Sequence, residues 1–257
     1  VNAEQPLAGK HIVVTRPAGQ AAPFIGKIEE AGGTAYAVPL IAFRMCEDIR
    51  DEAVLNQLFT YDWVIITSKN GADFFMKKVG QAGVDVRTLP AKFAAIGSKT
   101  AAVLEQYGVE VSHIPKRFSA DDLVKEINNG RYMPKKALIP KGSLARDIIG
   151  ETIRRSGAQA HDWIVYETYF PEDKKAELLD LIRHKAIDMY TFTSPSAVRH
   201  FVQIVNEGNE PIPAADFACI GPVTKKEAEK YGLAVSVCPE EYTMEALVQE
   251  MSDYYRE

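Results

Sequence analysis

An α/β fold of two parallel-sheet domains is predicted for this chain. Short apolar runs rich in Val and Ile alternate with stretches of helical period, the pattern of parallel strands covered by helices. The chain also repeats itself. IGSKTAAVLEQYGVEVSHIP at Ile96–Pro115 aligns without a gap with IGPVTKKEAEKYGLAVSVCP at Ile220–Pro239, an offset of 124 residues. Thr67-Ser68 and Thr193-Ser194 end two further apolar runs at nearly the same offset. A repeat this long is a folding unit rather than a solenoid module. The 257 residues accommodate two domains of ordinary size.

The elements follow in order. His11–Thr15 (HIVVT) reads as a strand, Ala18–Ala31 as a helix ended by Gly32-Gly33, and Thr34–Phe43 as a long strand. Glu47–Phe59 has helical period. WVIIT at Trp63–Thr67 is a strand, followed by a helix from Asn70 to about Val79. Phe93–Ile96 is a strand, Lys99–Tyr107 a helix stopped by Gly108, and Glu110–Ile114 a strand. Ala120–Asn128 is a helix with Ser119 as N-cap. The cycle restarts with strand Ala137–Ile139, helix Ala145–Ser156 and strand Gln159–Tyr166. Helix Lys174–Lys185, strand Met189–Thr193, helix Ala197–Asn206 and strand Phe217–Ile220 follow. Helix Thr224–Tyr231, strand Ala234–Val237 and helix Met244–Tyr254 complete the chain. Ten strands are expected, five in each domain.

Two partitions fit the repeat. The copies form two contiguous domains, or the second half of the first copy and the first half of the second form a domain inserted into the rest. Only about eight residues separate the helix at Ala120–Asn128 from the strand at Ala137, a normal loop within one domain. The long strands Thr34–Phe43 and Gln159–Tyr166 suit a two-stranded hinge. Insertion is favoured, with residues 1–43 and 166–257 in one domain and 44–165 in the other.

The composition excludes several classes. No apolar run approaches the roughly 20 residues that span a bilayer. The start, VNAEQPLAGKH, lacks the basic and apolar regions of a secretory signal. Cys46, Cys219 and Cys238 have no CxxC spacing, which fits a reducing cytoplasm better than a disulfide or zinc framework. A net charge of −5 argues against a nucleic-acid partner. The five histidines form no HExxH or paired spacing, so no metal is expected. Neither GxGxxG nor a Walker A sequence is present, and no cofactor is expected. Ser68 and Ser194 are outside any GxSxG context. A monomer is expected.

Ligands of open parallel sheets bind beyond the carboxyl ends of the strands. The turns there are TRPAGQ (Thr15–Gln20), TSKNG (Thr67–Gly71), IGSKT (Ile96–Thr100), IPKGSLAR (Ile139–Arg146), TSPSA (Thr193–Ala197) and IGPVT (Ile220–Thr224). Helix N-termini offer free amides and partial positive charge to carboxylates and phosphates. Gly97 and Gly221 admit a ligand close to the backbone. Arg16, Lys69, Lys99, and Lys141 with Arg146 add cations. Any single turn of this kind needs a cap and says only that a helix starts there. Six together point to a cleft for a polyanion.

Tyr166, in WIVYETYF, falls at the end of a hinge strand, and the repeat supplies a control. At an offset of 125 its counterpart is Ile41, so the fold does not require a phenol there. A tyrosine, with a reference pKa near ~10, is a protonated donor at neutral pH and suits a leaving oxygen. The same ring also suits an amphipathic surface position. Thr100 and Thr224 occupy matching places and read equally as caps or ligand donors. Tyr107 and Tyr231 precede helix-ending glycines and read as packing residues.

These motifs in this order resemble the uroporphyrinogen-III synthase family: VVTRP in the first strand, ITS in the third, IG..T twice, VYET at the hinge, and FTSPSAV followed by IGPVT. The resemblance runs from about Lys10 to Met251. It implies two flavodoxin-like α/β domains joined by a two-stranded hinge, the second inserted into the first. It also implies a lyase of tetrapyrrole (heme) biosynthesis that needs neither cofactor nor metal. The substrate would be hydroxymethylbilane, a linear tetrapyrrole with eight carboxylates. It loses water and closes to uroporphyrinogen III with inversion of its last ring, whereas unaided closure gives another isomer. Tyr166 matches the family's hinge tyrosine and Thr224 the threonine of its IGP turn. Ser68, Thr100, Arg146, Ser194 and Ser196 match polar cleft positions. The chain departs at Val223, where members often carry a first threonine, and at Asn70, where some carry arginine. The alternative class is a two-domain small-anion binding protein of periplasmic or repressor-effector type, which needs a signal peptide or a helix-turn-helix.

Overall fold

The computed structural model describes residues 5–116 and 119–256. The first four residues of the VNAEQPLAGKH start lie outside them. Among the described residues the chain forms eleven strands and ten α-helices. Its contacts divide into two compact units, Val1–Ala42 with Tyr169–Glu257, and Phe43–Thr168.

The first unit holds a five-stranded sheet. In chain order its strands are β1 (His11–Val14), β2 (Thr34–Ala37), β9 (Met189–Phe192), β10 (Asp216–Cys219) and β11 (Val235–Val237). They lie in the order β11-β10-β9-β1-β2, with the described pairings parallel. Renumbered along this unit, that is the flavodoxin order 2-1-3-4-5. Helices α1 (Ala18–Glu30), α7 (Asp173–His184), α8 (Pro195–Glu207), α9 (Pro222–Lys230) and α10 (Met244–Tyr254) belong to it. The burial of each strand follows its place. Central β9 (MYTF) is buried at all four positions, while edge β2 (TAYA) has none buried.

The second unit's sheet has the order β3-β8-β7-β4-β5-β6. Its strands are β3 (Ala42–Met45), β4 (Trp63–Ile66), β5 (Lys92–Ala95), β6 (Val111–His113), β7 (Lys136–Gly142) and β8 (Gln159–Tyr169). Starting the count at β7 recovers the same flavodoxin order for five of them. Its α-helices are α2 (Asp51–Asn56), α3 (Lys69–Gln81), α4 (Ser98–Gln106), α5 (Ala120–Asn128) and α6 (Ile148–Arg155). The repeat is legible in the ladders. His11 faces Thr34 in one unit and Lys136 faces Gln159 in the other, both members displaced by 125 residues. Strands of different copies therefore share each sheet, which is the inserted topology and not the contiguous one.

Four expectations are corrected. The strand expected over Thr34–Phe43 is two strands, β2 and β3, because Pro39 has no amide to continue the ladder. Val38 and Leu40 on either side still donate to Val14 and Thr15 carbonyls. The count is thus eleven strands rather than ten, and only β3 lies beside β8. The helix expected from Glu47 begins at Asp51, since the Asp48 carboxylate takes the Arg50 and Ile164 amides and holds the chain in a turn. The strand expected over Ala137–Ile139 continues to Gly142, through Pro140, where only the pairing with β8 persists. Lys141 accordingly belongs to a strand and not to a helix-leading turn.

Candidate functional site

The switch point of a 2-1-3-4-5 sheet falls between its first and third strands, where ligands of this architecture bind. In the second unit it lies between β7 and β4, and in the first between β1 and β9. Ser68 follows β4, and Gly142 ends β7. Arg16 follows β1, and Ser194 follows β9.

Tyr166 dominates the first of these places. Its ring stacks on Phe74 of α3 at a centroid distance of 5.3 Å and meets Phe43 edge-on at 5.8 Å. Its hydroxyl lies 3.5 Å from the Ser68 Oγ, a loose contact, while that Oγ accepts the Gly71 amide at 3.0 Å and caps α3. Gly142 faces Tyr166 across the β7–β8 ladder. A Cβ on Gly142 would fall 2.5 Å from the Tyr166 Cζ and 2.8 Å from its Oη. The phenol thus lies directly on the glycine backbone. Gly142 is a residue the sequence reading did not single out. Its signal was a glycine ending an apolar run beside a residue already under suspicion.

The two IG turns differ in why they carry glycine. Gly97 precedes α4 with φ +97°, a conformation other residues rarely adopt. Gly221 precedes α9 in extended backbone and is small because the Tyr242 ring packs on it, 3.0 Å from a Cβ placed there. Neither helix has a side-chain cap, although the Thr100 amide returns to the Gly97 carbonyl at 3.1 Å. Ser194 caps α8 through the Ala197 amide at 3.2 Å. Thr100 and Thr224 are buried, and the Thr100 hydroxyl is turned back onto the turn that leads α4, donating to the Ile96 carbonyl at 3.2 Å. Ser196 accepts from Arg199 at 3.1 Å.

The cations separate into two kinds. Lys141 is nearly buried, 3.0 Å from Asp147 and 2.8 Å from Asp162, the latter an ion pair outside hydrogen-bond geometry. Arg154 closes the ring, 2.7 Å from Asp147 and 3.0 Å from Asp162. Burial opposes ionisation of Asp147, but hydrogen bonds from its neighbours and the two cations hold it below the ordinary carboxylate value. Lys141 is therefore a strut between β7, α6 and β8. Arg146 is exposed, 3.4 Å from Asp121. Arg16 is different. Its donors reach the Gln20 carbonyl and side chain and the Met244 sulfur, all neutral acceptors. Burial lowers its pKa, and among the described residues it has no carboxylate partner.

Two parallel α/β units of flavodoxin strand order, the second with a ring-backed phenol beside its switch point, define a doubly wound two-domain α/β protein. The family model described as Uroporphyrinogen-III synthase HemD matches residues 22–249. The chain belongs to that family. It is 30% identical over 236 residues to the uroporphyrinogen-III synthase of Chlorobaculum parvum, covering 90% of this chain and 93% of that one. It is 28% identical to the protein of the same name from Synechococcus elongatus, covering 99% of both. Among solved structures, a uroporphyrinogen III synthase from Thermus thermophilus has the same fold, with a TM-score of 0.64 at 14% identity over 96% of this chain and 99% of that one. The corresponding Helicobacter pylori structure superposes with a TM-score of 0.59 over 93% and 96%. Among the described residues no helix is long and apolar enough to cross a membrane.

Proposed function

We infer that the chain catalyses the dehydrative cyclisation of hydroxymethylbilane to uroporphyrinogen III, with inversion of the terminal ring, in tetrapyrrole biosynthesis. The observation that carries the reading is Tyr166. A phenol is held at the switch point of the second unit, where the other copy of the repeat has Ile41. Its proton passes to the departing hydroxyl, which leaves as water. The methylene-pyrrole cation left on the ring that carried the hydroxymethyl group is then attacked by the substituted α-carbon of the terminal ring at the other end of the chain. The spiro intermediate breaks that carbon's bond to its original methylene bridge, and the bridge rejoins at the ring's free α-carbon. Loss of the proton there leaves the terminal ring inverted. Holding the chain so that the substituted carbon attacks is an orientation task. The carboxylates of the substrate suit Arg16, Arg146 and the amides led by Gly97 and Gly221, with Ser68, Ser194, Ser196, Thr100 and Thr224 as polar neighbours. Lys141 serves indirectly by fixing β7. The unpaired Cys46, Cys219 and Cys238 support a cytoplasmic setting.

The test is isomer analysis of the product against the spontaneous reaction. The type III isomer should form well above background. Type I alone, from folded protein, overturns the assignment.

A further inference from the structure

The β7–β8 ladder shifts register at one place. Lys141 faces Ile164 but Gly142 faces Tyr166, so Val165 has no partner on β7. A one-residue excess of this kind turns the following side chain to the other face of a sheet. The packing shows that turn. Trp163 and Val165 alternate into one core cluster, and Tyr166, which strict alternation would send to the opposite face, packs against the same cluster. There its ring meets Phe74, and the Ser143 amide donates to the Tyr166 carbonyl at 3.0 Å. The re-aimed ring then needs the space above residue 142, which only glycine leaves open. The first unit lacks all three features together. Its ladder runs evenly to Val14 and Ala37, and the counterparts of Gly142 and Tyr166 are Pro17 and Ile41.

We propose that Gly142 and the unpaired Val165 form a positioning device for Tyr166, aiming its phenol across β7 toward Ser68. Gly142 is a positioning residue, acting on the reaction only through that phenol. This rests on the reading of Tyr166 as the proton donor, and the tests separate the two.

Gly142→Ala is measured in the native chain and in Tyr166 variants. In the native chain it lowers kcat by on the order of 10²-fold with little change in KM, the effect of a misplaced group. In a Tyr166→Phe background it lowers kcat no further. Equal loss in both backgrounds overturns the proposal. The contact itself is read from stability. Gly142→Ala depresses the melting temperature in the native chain and leaves it unchanged in a Tyr166→Ala background. If Gly142→Ala alone does not fold, Gly142→Ala/Tyr166→Ala should fold, and its failure to do so overturns the proposal. With tyrosine labelled at Cζ with ¹³C, the resonance lost in Tyr166→Phe should move in Gly142→Ala. An unmoved resonance overturns the positioning role even where Tyr166 proves catalytic. A moved resonance with Tyr166→Phe fully active retains the positioning and rejects only the proton-donor reading.

Discussion

The Lys78 ammonium lies 2.5 and 2.7 Å from the two carboxylate oxygens of Asp51, and its side chain is only 7% exposed. The Trp163 indole donates to the same carboxylate at 2.6 Å. The three tie α3, the start of α2 and β8 into one support for the strand that carries Tyr166. Removing one partner of such a pair strands the other charge in a poor solvent.

Asp51→Ala should therefore destabilise the protein by about 3–5 kcal/mol. Asp51→Asn/Lys78→Met, which keeps an acceptor for the indole and removes the charge, should cost less than Asp51→Ala. Denaturant titration of the two variants checks the ranking; a double variant weaker than Asp51→Ala would contradict it.

Asp48 makes stability depend on pH in a defined window. The hydrogen bond from the Arg50 side chain is the main cause of its low pKa, helped by the Arg50 and Ile164 amides and opposed by burial; it falls from 3.8 to about 2. An acid held below its unfolded value stabilises the fold above that unfolded value. The contribution should be lost as pH falls from 3.8 through about 2. Asp48→Asn should flatten this limb of the stability curve, and an unchanged limb would assign it elsewhere.

Tyr166→Phe should lower kcat by on the order of 10²-fold or more, the usual size of a general-acid contribution, with a smaller change in KM. Loss confined to KM would make the phenol a binding contact instead.

Arg16→Gln should raise KM about tenfold, the value of a charged hydrogen bond to a carboxylate, while kcat stays near the native value. Among the described residues its guanidinium is answered only by neutral acceptors, so it has a charge to offer an anion. Steady-state kinetics at two ionic strengths checks this; an unmoved KM would leave Arg16 as a link between α1 and α10.

Gly150 gives a stability test of the Lys141 strut. A Cβ there would lie 2.8 Å from Asp147 Oδ1 and 2.9 Å from Asp162 Oδ2. Gly150→Ala gains helix propensity of about 1 kcal/mol, but the crowding should exceed it and lower the melting temperature. A rise in melting temperature would show that the ion ring gives way freely.

Much of this molecule was legible in its residues. Patterning located nearly every element, and Ala120–Asn128 and Met244–Tyr254 were placed to the residue, because caps and apolar period are local properties. The repeat exposed Tyr166 by its mismatch with Ile41, and connection lengths favoured the inserted topology. Motif order carried the family. The break at Pro39 is local and was open to reading, but the other failures share a cause. Whether Asp48 delays a helix and whether β7 runs past Pro140 are decided by partners far along the chain. Lys141 read as a ligand-facing cation because its anions, Asp147 and Asp162, come from a loop and a neighbouring strand. Gly142 offered only a weak signal, a glycine next to Lys141, since its role is the volume it leaves empty. Composition and period thus determined the class, the two-fold repeat and the suspect phenol. Only tertiary structure decided which charges are spent on each other and where the phenol is aimed. Both depend on which strand lies beside which, and in what register.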